Sequence, residues 1–419
     1  MEKELKTQIA ESVQKHLKQA VKLSEELAAH PELPYEEFES SQKMAELLSE
    51  EGFEVTYPYA GYDTAFCACF DNGPGVSVAI LAEYDALPEI GHGCGHNLHG
   101  ALSVLTGLVL RDLKHLFQGK VYVIGTPAEE ENGAKVGMAD QGIFDHMSLA
   151  IMMHSWAGGY SLPDMDVLSL RCYVVEFHGQ AAHAVAAPWQ GRSALAAARK
   201  FLDLIDARRE CFTPDIHVNA VIQDGGKAPN IIPDYAKIRM EFRTDSMAKL
   251  LQVDEMIKKC ANAAAMALDC TVSLEFGLSD FADMVRVEPL EKSISEYLSD
   301  FGHKVGDVSP ATGSSDMGNV SYRCPAIQPL LSITDDNLAL HTTAFRDATL
   351  KPQAHESIAC GAASMTALAL KILNDADYRS NVHHSWEMCI RDRYWCDRNI
   401  PSPVTEQKNQ YTGKNRFGV

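Results

Sequence analysis

Between residues 171 and 276 the apolar pattern spells strand, helix, strand, strand, helix, strand, and that order constrains the fold more than any other feature of the chain. Residues 171–177 alternate as a strand does. Over 192–209, Leu195, Ala198, Leu202 and Ile205 fall on one helical face. Strand patterns at 217–223 and 235–243 flank a turn at Gly225-Gly226, and a helix over 248–268 precedes a strand at 271–276. This β-α-β-β-α-β order is the ferredoxin-like unit, which can fold as a separate domain.

The flanking sequence has another character. Leu5, Ile9, Val13, Leu17 and Val21 recur every four residues and predict a long amphipathic helix that stops near His30-Pro31. A second helix is expected over 39–49. Apolar runs follow at 54–57, 65–70 and 76–82, with Asn72-Gly73-Pro74-Gly75 as the turn between the last two. A helix over 98–113, strands at 121–125 and 149–153, and a closing helix over 352–373 complete the pattern. Strands alternating with helices predict an α/β sheet with several parallel members. The fold class is therefore α/β with two domains. Residues 1–168 and 282–374 form one discontinuous domain, and 169–281 are inserted into it. From 375 to 419 no apolar period is sustained, basic residues outnumber acidic ones, and 385–393 resembles translated adapter sequence. That stretch reads as a non-native or disordered tail.

A length of 419 residues suits this division, and 46% hydrophobic residues suffice for a sizeable core. The net charge of −20 argues against nucleic acid or an anionic membrane as partner. Eleven cysteines without short-framework spacing fit reduced thiols in a cytoplasm. The charged start Met1-Glu2-Lys3-Glu4 leads into no signal-type apolar region, and no apolar run reads as a membrane span.

The chemistry concentrates in Gly91-His92-Gly93-Cys94-Gly95-His96-Asn97-Leu98-His99-Gly100, which follows a strand pattern. Thiolate and imidazole are ligands for borderline metals, and glycines let a loop close around an ion. As a dinucleotide loop the run fails, because His96 stands where the third glycine belongs. Cys94 and His96, two residues apart, suit joint metal binding better than proton transfer between them. Glu129-Glu130 follows another strand pattern, where one carboxylate can hold a metal and its neighbour reach a water. A metal lowers that water's pKa from about 16 towards about 7, and a carboxylate then shuttles the proton. Asp85, at the end of a strand, can orient a ligand histidine. His154 and His341 also follow strand-like segments. Each residue has a plainer reading: solvated glutamates, a core histidine, a loop histidine, a small buried cysteine. Their joint placement after successive strands favours a metal site.

Assembled in order, the motifs resemble those of the two-metal aminoacylase and carboxypeptidase-G type metallopeptidases. The resemblance is closest to the amidohydrolase branch that holds hippurate, auxin-conjugate and p-aminobenzoyl-glutamate hydrolases. It rests on His30-Pro31-Glu32-Leu33, Asp85-Ala86-Leu87-Pro88, Gly93-Cys94-Gly95-His96-Asn97 and Pro127-Ala128-Glu129-Glu130. It extends through Gly179-Gln180-Ala181-Ala182-His183 and the run from Gly225 to Asp234, spanning roughly residues 17–373. The resemblance implies a metallopeptidase-type α/β catalytic domain with an inserted lid, and two divalent ions per subunit, zinc or manganese. It implies Cys94, His96, Glu130, His154 and His341 as ligands and Glu129 as general base and acid. His183 and Asn230 are then lid residues for substrate and oxyanion, in a homodimer formed through the lid. Arg243 and Asn230 are candidates for a substrate carboxylate clamp. The branch departs at Glu83, where aspartate is commoner, and at Gly313-Ser314-Ser315-Asp316-Met317-Gly318-Asn319. The latter run is nearer one of the two p-aminobenzoyl-glutamate hydrolase chains, the B chain, and the basic-dipeptide dipeptidases. The expected activity is hydrolysis of a small N-acyl amino acid, an aminobenzoyl-glutamate-like compound or a dipeptide. The alternative is a non-catalytic, metal-binding partner subunit.

Overall fold

The computed structural model describes residues 1–308, 310, 311 and 313–395. Two helices open the chain, α1 (Lys3–Ala29) and α2 (Phe38–Glu50), followed by strands β1 (Glu54–Thr56), β2 (Phe66–Asp71) and β3 (Ser77–Ala82). Helix α3 (His96–Asp112), β4 (Lys120–Gly125), α4 (Ala134–Asp140), β5 (Met147–Ile151) and β6 (His154–Trp156) complete the first segment. The main sheet has the order β1-β2-β4-β3-β5 and is extended by β13 (Ala326–Ile327) from beyond the inserted domain. β3 is parallel to both β4 and β5, and β13 is parallel to β5, whereas β1 and β2 run antiparallel to their neighbours.

Strand β3 shows why this sheet is buried on both faces. Val78, Ile80 and Ala82 face one core with α1 and α3, and Ala79 and Leu81 face another with α4. Side chains alternate across a strand, so a continuous apolar run is what a two-faced burial requires.

The insertion folds as its pattern predicts. Strands β7 (Ser169–His178), β9 (His217–Asp224), β11 (Tyr235–Thr244) and β12 (Thr271–Phe276) form an antiparallel sheet ordered β12-β7-β11-β9. Helices α5 (Ala194–Arg208) and α6 (Met247–Ala267) cover one face around Phe177, Phe201, Phe242 and Ile257, a core separate from that of the first domain. A small pair, β8 (Ala182–His183) with β10 (Ile231–Ile232), is added at the side. The chain crosses into and out of this domain side by side. Leu170 N–H donates to the Phe281 carbonyl at 2.9 Å and Phe281 N–H returns the bond at 3.1 Å.

After the insertion come α7 (Glu288–Asp300), α8 (Met317–Ser321), β14 (Leu330–Ser332), α9 (Thr343–Ala348) and α10 (Pro352–Asn374). β14 lies parallel to β6. Helix α10 is long and apolar enough to cross a membrane, but its length is spent inside the core against α1, α3 and α7. Helix α8 presses directly on the returning crossover. A Cβ on Gly318 would meet the Ala282 carbonyl oxygen at 1.8 Å. Gly318→Ala must move backbone, and its expected cost is about 3 kcal/mol or more in a urea titration.

One expectation is corrected. The segment read as a non-native or disordered tail begins with a helix, α11 (Ala376–Trp395). Tyr378 donates its hydroxyl to the Pro289 carbonyl at 2.8 Å, Val382 is buried, and Trp386 Nε1–H donates to the Ser321 carbonyl at 2.7 Å. Three contacts at four-residue spacing anchor a helix that is otherwise polar, too narrow a stripe to register as a sustained period. The remainder of that reading, 396–419, lies outside the described residues.

Candidate metal centre

The parallel strands deliver their chemistry at their C-terminal ends, where an open α/β sheet presents its site. Glu83 and Asp85 follow β3, Glu129 and Glu130 follow β4, and His154 opens β6 just beyond β5. Cys94 lies in the glycine-rich loop, and His96 is the first residue of α3. Gly95 between them has φ +86°, and a Cβ there would sit 2.7 Å from the Ser155 side chain. Two non-glycine residues of the site also have left-handed backbones, Ala128 at φ 62° and His341 at φ 61°. Such conformations cost about 1–3 kcal/mol each and persist where surrounding contacts enforce them. His341 N–H donates to the Gly93 carbonyl at 2.9 Å, and Ala128 N–H to Glu37 Oε1 at 2.8 Å.

Hydrogen bonds fix which imidazole nitrogens are free. His96 Nδ1 lies 2.8 Å from Asp85 Oδ1 and 3.0 Å from the Asp85 carbonyl, so it carries the proton. Asp85 Oδ2 accepts from Glu130 N–H at 3.0 Å, which ties this histidine to the next strand end. His154 Nδ1–H donates to the Ser155 carbonyl at 2.8 Å. Both rings therefore turn an unprotonated Nε2 inward. His99 differs. Its Nε2 accepts from Ser155 N–H at 2.7 Å and its Nδ1 meets Glu83 Oε2 at 3.1 Å, so neither nitrogen is left for an ion.

The free atoms converge. Cys94 Sγ is 3.4 Å from His154 Nε2, His341 Nε2 is 3.5 Å from Glu130 Oε1, and His96 Nε2 is 4.0 Å from the same oxygen. Donors bound to one ion at 2.0–2.3 Å lie roughly 3–4 Å apart at tetrahedral angles, so these spacings suit shared ligation. Cys94, His96 and Glu130 present donors within 4.8 Å of one another. His96 Nε2 and Glu130 Oε1 are buried without a hydrogen-bond partner. Orphaned buried atoms are costly, and a divalent cation is what this donor set of thiolate, imidazole and carboxylate lacks.

In the metal-free chain the electrostatics hold protons on two of these donors, Cys94 and His96, that a bound cation would displace. Burial and the Glu130 carboxylate push the Cys94 thiol well above its ordinary range. Burial depresses the His154 pKa to about 4. Burial would also depress His96, but the Asp85 carboxylate outweighs it and raises the ring well above its ordinary value. Glu129 is half-buried, and desolvation with the Glu83, Glu130 and Asp316 carboxylates raises it well above the usual range. A carboxyl so placed holds a proton readily, as a group that both accepts and delivers one must.

Glu37 is a residue that spacing alone did not single out. It is fully buried, braces Ala128 as described, and accepts from Thr64 Oγ1 at 2.9 Å. Burial and the Asp85 charge lift its pKa from 4.5 to about 7. In that window the folded chain holds a proton here that the unfolded chain has released, so stability falls as pH rises from 4.5 to 7. In the metal-free chain, Glu37→Gln is expected to add about 3 kcal/mol at pH 8 and nothing near pH 4. Urea titrations at the two pH values check this.

The lid residues occupy other ground. His183 is exposed on β8, and its Nδ1 accepts from Val185 and Ala186 N–H at 3.2 and 3.1 Å. Its proton is therefore on Nε2, pointing away as a donor. Asn230 is exposed beside it, its carbonyl accepting from Ala184 N–H at 2.9 Å. Arg243 pairs with Glu241 at 3.4 Å and reaches Ser314 Oγ of the first domain at 3.5 Å. The hydrogen bonds from Val185, Ala186 and Ala184 to His183 and the Asn230 carbonyl keep to the lid.

Known proteins resemble this chain. A family model described as a peptidase dimerisation domain matches residues 169–268, which is most of the inserted domain. The Xaa-Arg dipeptidase of Mus musculus is 33% identical over 366 residues, covering 82% of this chain and 83% of that protein. The chain belongs to the M20 metallopeptidase family. As a member it is a metal-dependent amide-bond hydrolase. The B chain of the Escherichia coli p-aminobenzoyl-glutamate hydrolase is 30% identical over 302 residues, covering 67% of this chain and 62% of that one. Among solved structures, an aminobenzoyl-glutamate utilization protein from Klebsiella pneumoniae superposes with a TM-score of 0.71 at 19% identity, covering 88% of this chain and 99% of that one. The Bacillus subtilis YXEP protein, a dinuclear metal binding peptidase, gives 0.67 at 20% identity, covering 86% and 99%. These two structures bear on the fold alone.

Three charged or polar partners escaped the sequence pattern. Glu83, where the branch departs from aspartate, is fully buried. Lys135 Nζ donates to Glu83 Oε1 and Asp316 Oδ1, each at 2.7 Å, with all three side chains buried. Asp316 lies in the run that marked the branch, but nothing in spacing pairs it with a lysine 181 residues away.

Proposed function

We propose that the chain hydrolyses dipeptides, with small N-acyl amino acids and aminobenzoyl-glutamate-like compounds as the further candidates. The observation that carries this is the convergence of Cys94, His96, Glu130, His154 and His341 beside an unligated Glu129. Dipeptides come first because the relative identical at 33% over most of both chains is named for them. The five convergent side chains would hold two divalent ions, zinc or manganese, for which a mixed thiolate, imidazole and carboxylate set is suited. When bound, such ions polarise the amide carbonyl and acidify water.

The chain's own groups do the rest. Glu129 takes the proton of the attacking water at a carboxylate oxygen and delivers it to the leaving nitrogen. Asp85 holds His96 in the tautomer that keeps Nε2 free. His183 Nε2–H is an oxyanion donor, worth most where negative charge develops. Arg243 and Asn230 are the candidates for the substrate carboxylate. Because His183 bonds within its lid loop, where Val185 and Trp189 are 83% and 78% exposed, we assign it to the site of a second copy. The homodimer forms through the lid, whose edge strand β9 exposes Val221 and Ile222. Among the described residues, the nine cysteines from Cys67 to Cys360 form no disulfide, which accords with a reducing cytoplasm.

Amine release tests this reading. The chain, loaded with manganese or zinc, is offered dipeptides ending in arginine, lysine or neutral residues, p-aminobenzoyl-glutamate, hippurate and N-acetyl amino acids. Turnover of at least one dipeptide is expected. Bound metal with no turnover across the panel sinks the catalytic reading and favours a non-catalytic partner role.

A further inference from the structure

Glu129 also belongs to a second cluster, whose other members the catalytic reading does not use. Glu83, Glu129 and Asp316 each present a carboxylate oxygen, and the three oxygens lie within 4.8 Å of one another. Three acidic groups at that spacing are themselves a cation site. At that spacing like charges repel one another strongly unless a cation lies between them. The cation present is an ammonium. Lys135 Nζ bridges Glu83 Oε1 and Asp316 Oδ1 at 2.7 Å each, and its backbone N–H takes Asp316 Oδ2 at 3.2 Å.

The geometry leaves little freedom. Lys135 stands in the first turn of α4, and Asp316 is pressed against the start of that turn. A Cβ on Gly133 would meet the Asp316 side chain at 2.7 Å. The other oxygen of Glu83 is turned to His99 Nδ1 at 3.1 Å and lies 3.5 Å from His96 Nε2. The bridge thus joins a strand end, a helix start and a residue from beyond the inserted domain. With Glu83 and Asp316 both committed to the ammonium, Glu129 is the member of the three that forms no ion pair among the described residues.

We propose that Lys135 is a positioning residue, a fixed internal cation that fills the place a further divalent ion would take and so keeps Glu129 free for proton transfer. This rests on the metal-dependent reading above. A divalent ion there would draw in all three carboxylates and bind the base. An ammonium satisfies two and cannot be exchanged.

The test counts metal. Lys135→Met is expected to bind one manganese more per chain than the unaltered protein, read by elemental analysis and native mass spectrometry after dialysis. Its kcat should fall about 100-fold or more, as for loss of a general base, with KM within about threefold. Removing one carboxylate together with the cation, in K135M/D316N, should return the count to that of the unaltered chain. An unchanged or lower count in Lys135→Met overturns the proposal. Should that variant fail to fold, manganese-soaked crystals of the unaltered chain decide. No anomalous peak is expected among the Glu83, Glu129 and Asp316 oxygens, and a peak there overturns it. The expected difference of one ion is read whether or not the panel gives turnover, so failure of the functional reading shows separately.

Discussion

Glu129→Gln is expected to lower kcat by about 100- to 10,000-fold while the protein keeps its full complement of metal. The amide has the size of the carboxylate and cannot carry the proton of the attacking water. Nothing in the ligand cluster depends on Glu129, since Cys94, His96, Glu130, His154 and His341 meet one another without it. KM should move little, because the loss falls on a step made after binding. The same change removes one negative charge from beside Glu83, Glu130 and Asp316, whose repulsion raises the Glu129 pKa. The metal-free variant should therefore melt above the metal-free parent, a trade of stability for function that active-site carboxylates commonly make. Steady-state kinetics, elemental analysis and calorimetry on the one variant check all three. Full metal with parental kcat would remove Glu129 from the mechanism.

The sequence made the insertion legible because each of its elements carries a clean period. The helices over 194–208 and 247–267 and all four lid strands lie within a few residues of where apolar spacing puts them. The candidate site was legible for another reason. Cys94 and His96 share a glycine-rich loop, Asp85, Glu129 and Glu130 follow strand ends, and the chain's own order places those ends together. Lys135, Asp316 and Glu37 were not, because a buried ion pair has no period. Its meaning lies in a contact between residues 181 positions apart, or in a brace to one backbone N–H. His99 shows the converse. As a histidine near Cys94 it has the composition of a ligand, and only its hydrogen bonds to Glu83 and Ser155 remove it from the set. Helix α11 was missed because Tyr378, Val382 and Trp386 form a stripe one residue wide.

Chelation is expected to abolish turnover and to destabilise selectively the domain that holds the proposed ligands. A site at 1,000 times its dissociation constant contributes about 4 kcal/mol per ion. For a domain of this size that is a fall in Tm of roughly 8–16 °C per ion removed. The sign follows from what metal-free protein must bury. His96 Nε2 and Glu130 Oε1 lose their only partner, and Ala128 and His341 keep left-handed backbones with less to enforce them. The lid shares none of this. Its core around Phe177, Phe201, Phe242 and Ile257 is closed by α5 and α6, and its crossover is the paired Leu170 and Phe281 backbone. Calorimetry should therefore show one transition moving down on chelation and returning with manganese or zinc, while the lid's transition stays in place. If both transitions fall together, the metal supports the whole chain. If neither moves, the convergent donors do not bind a stabilising ion.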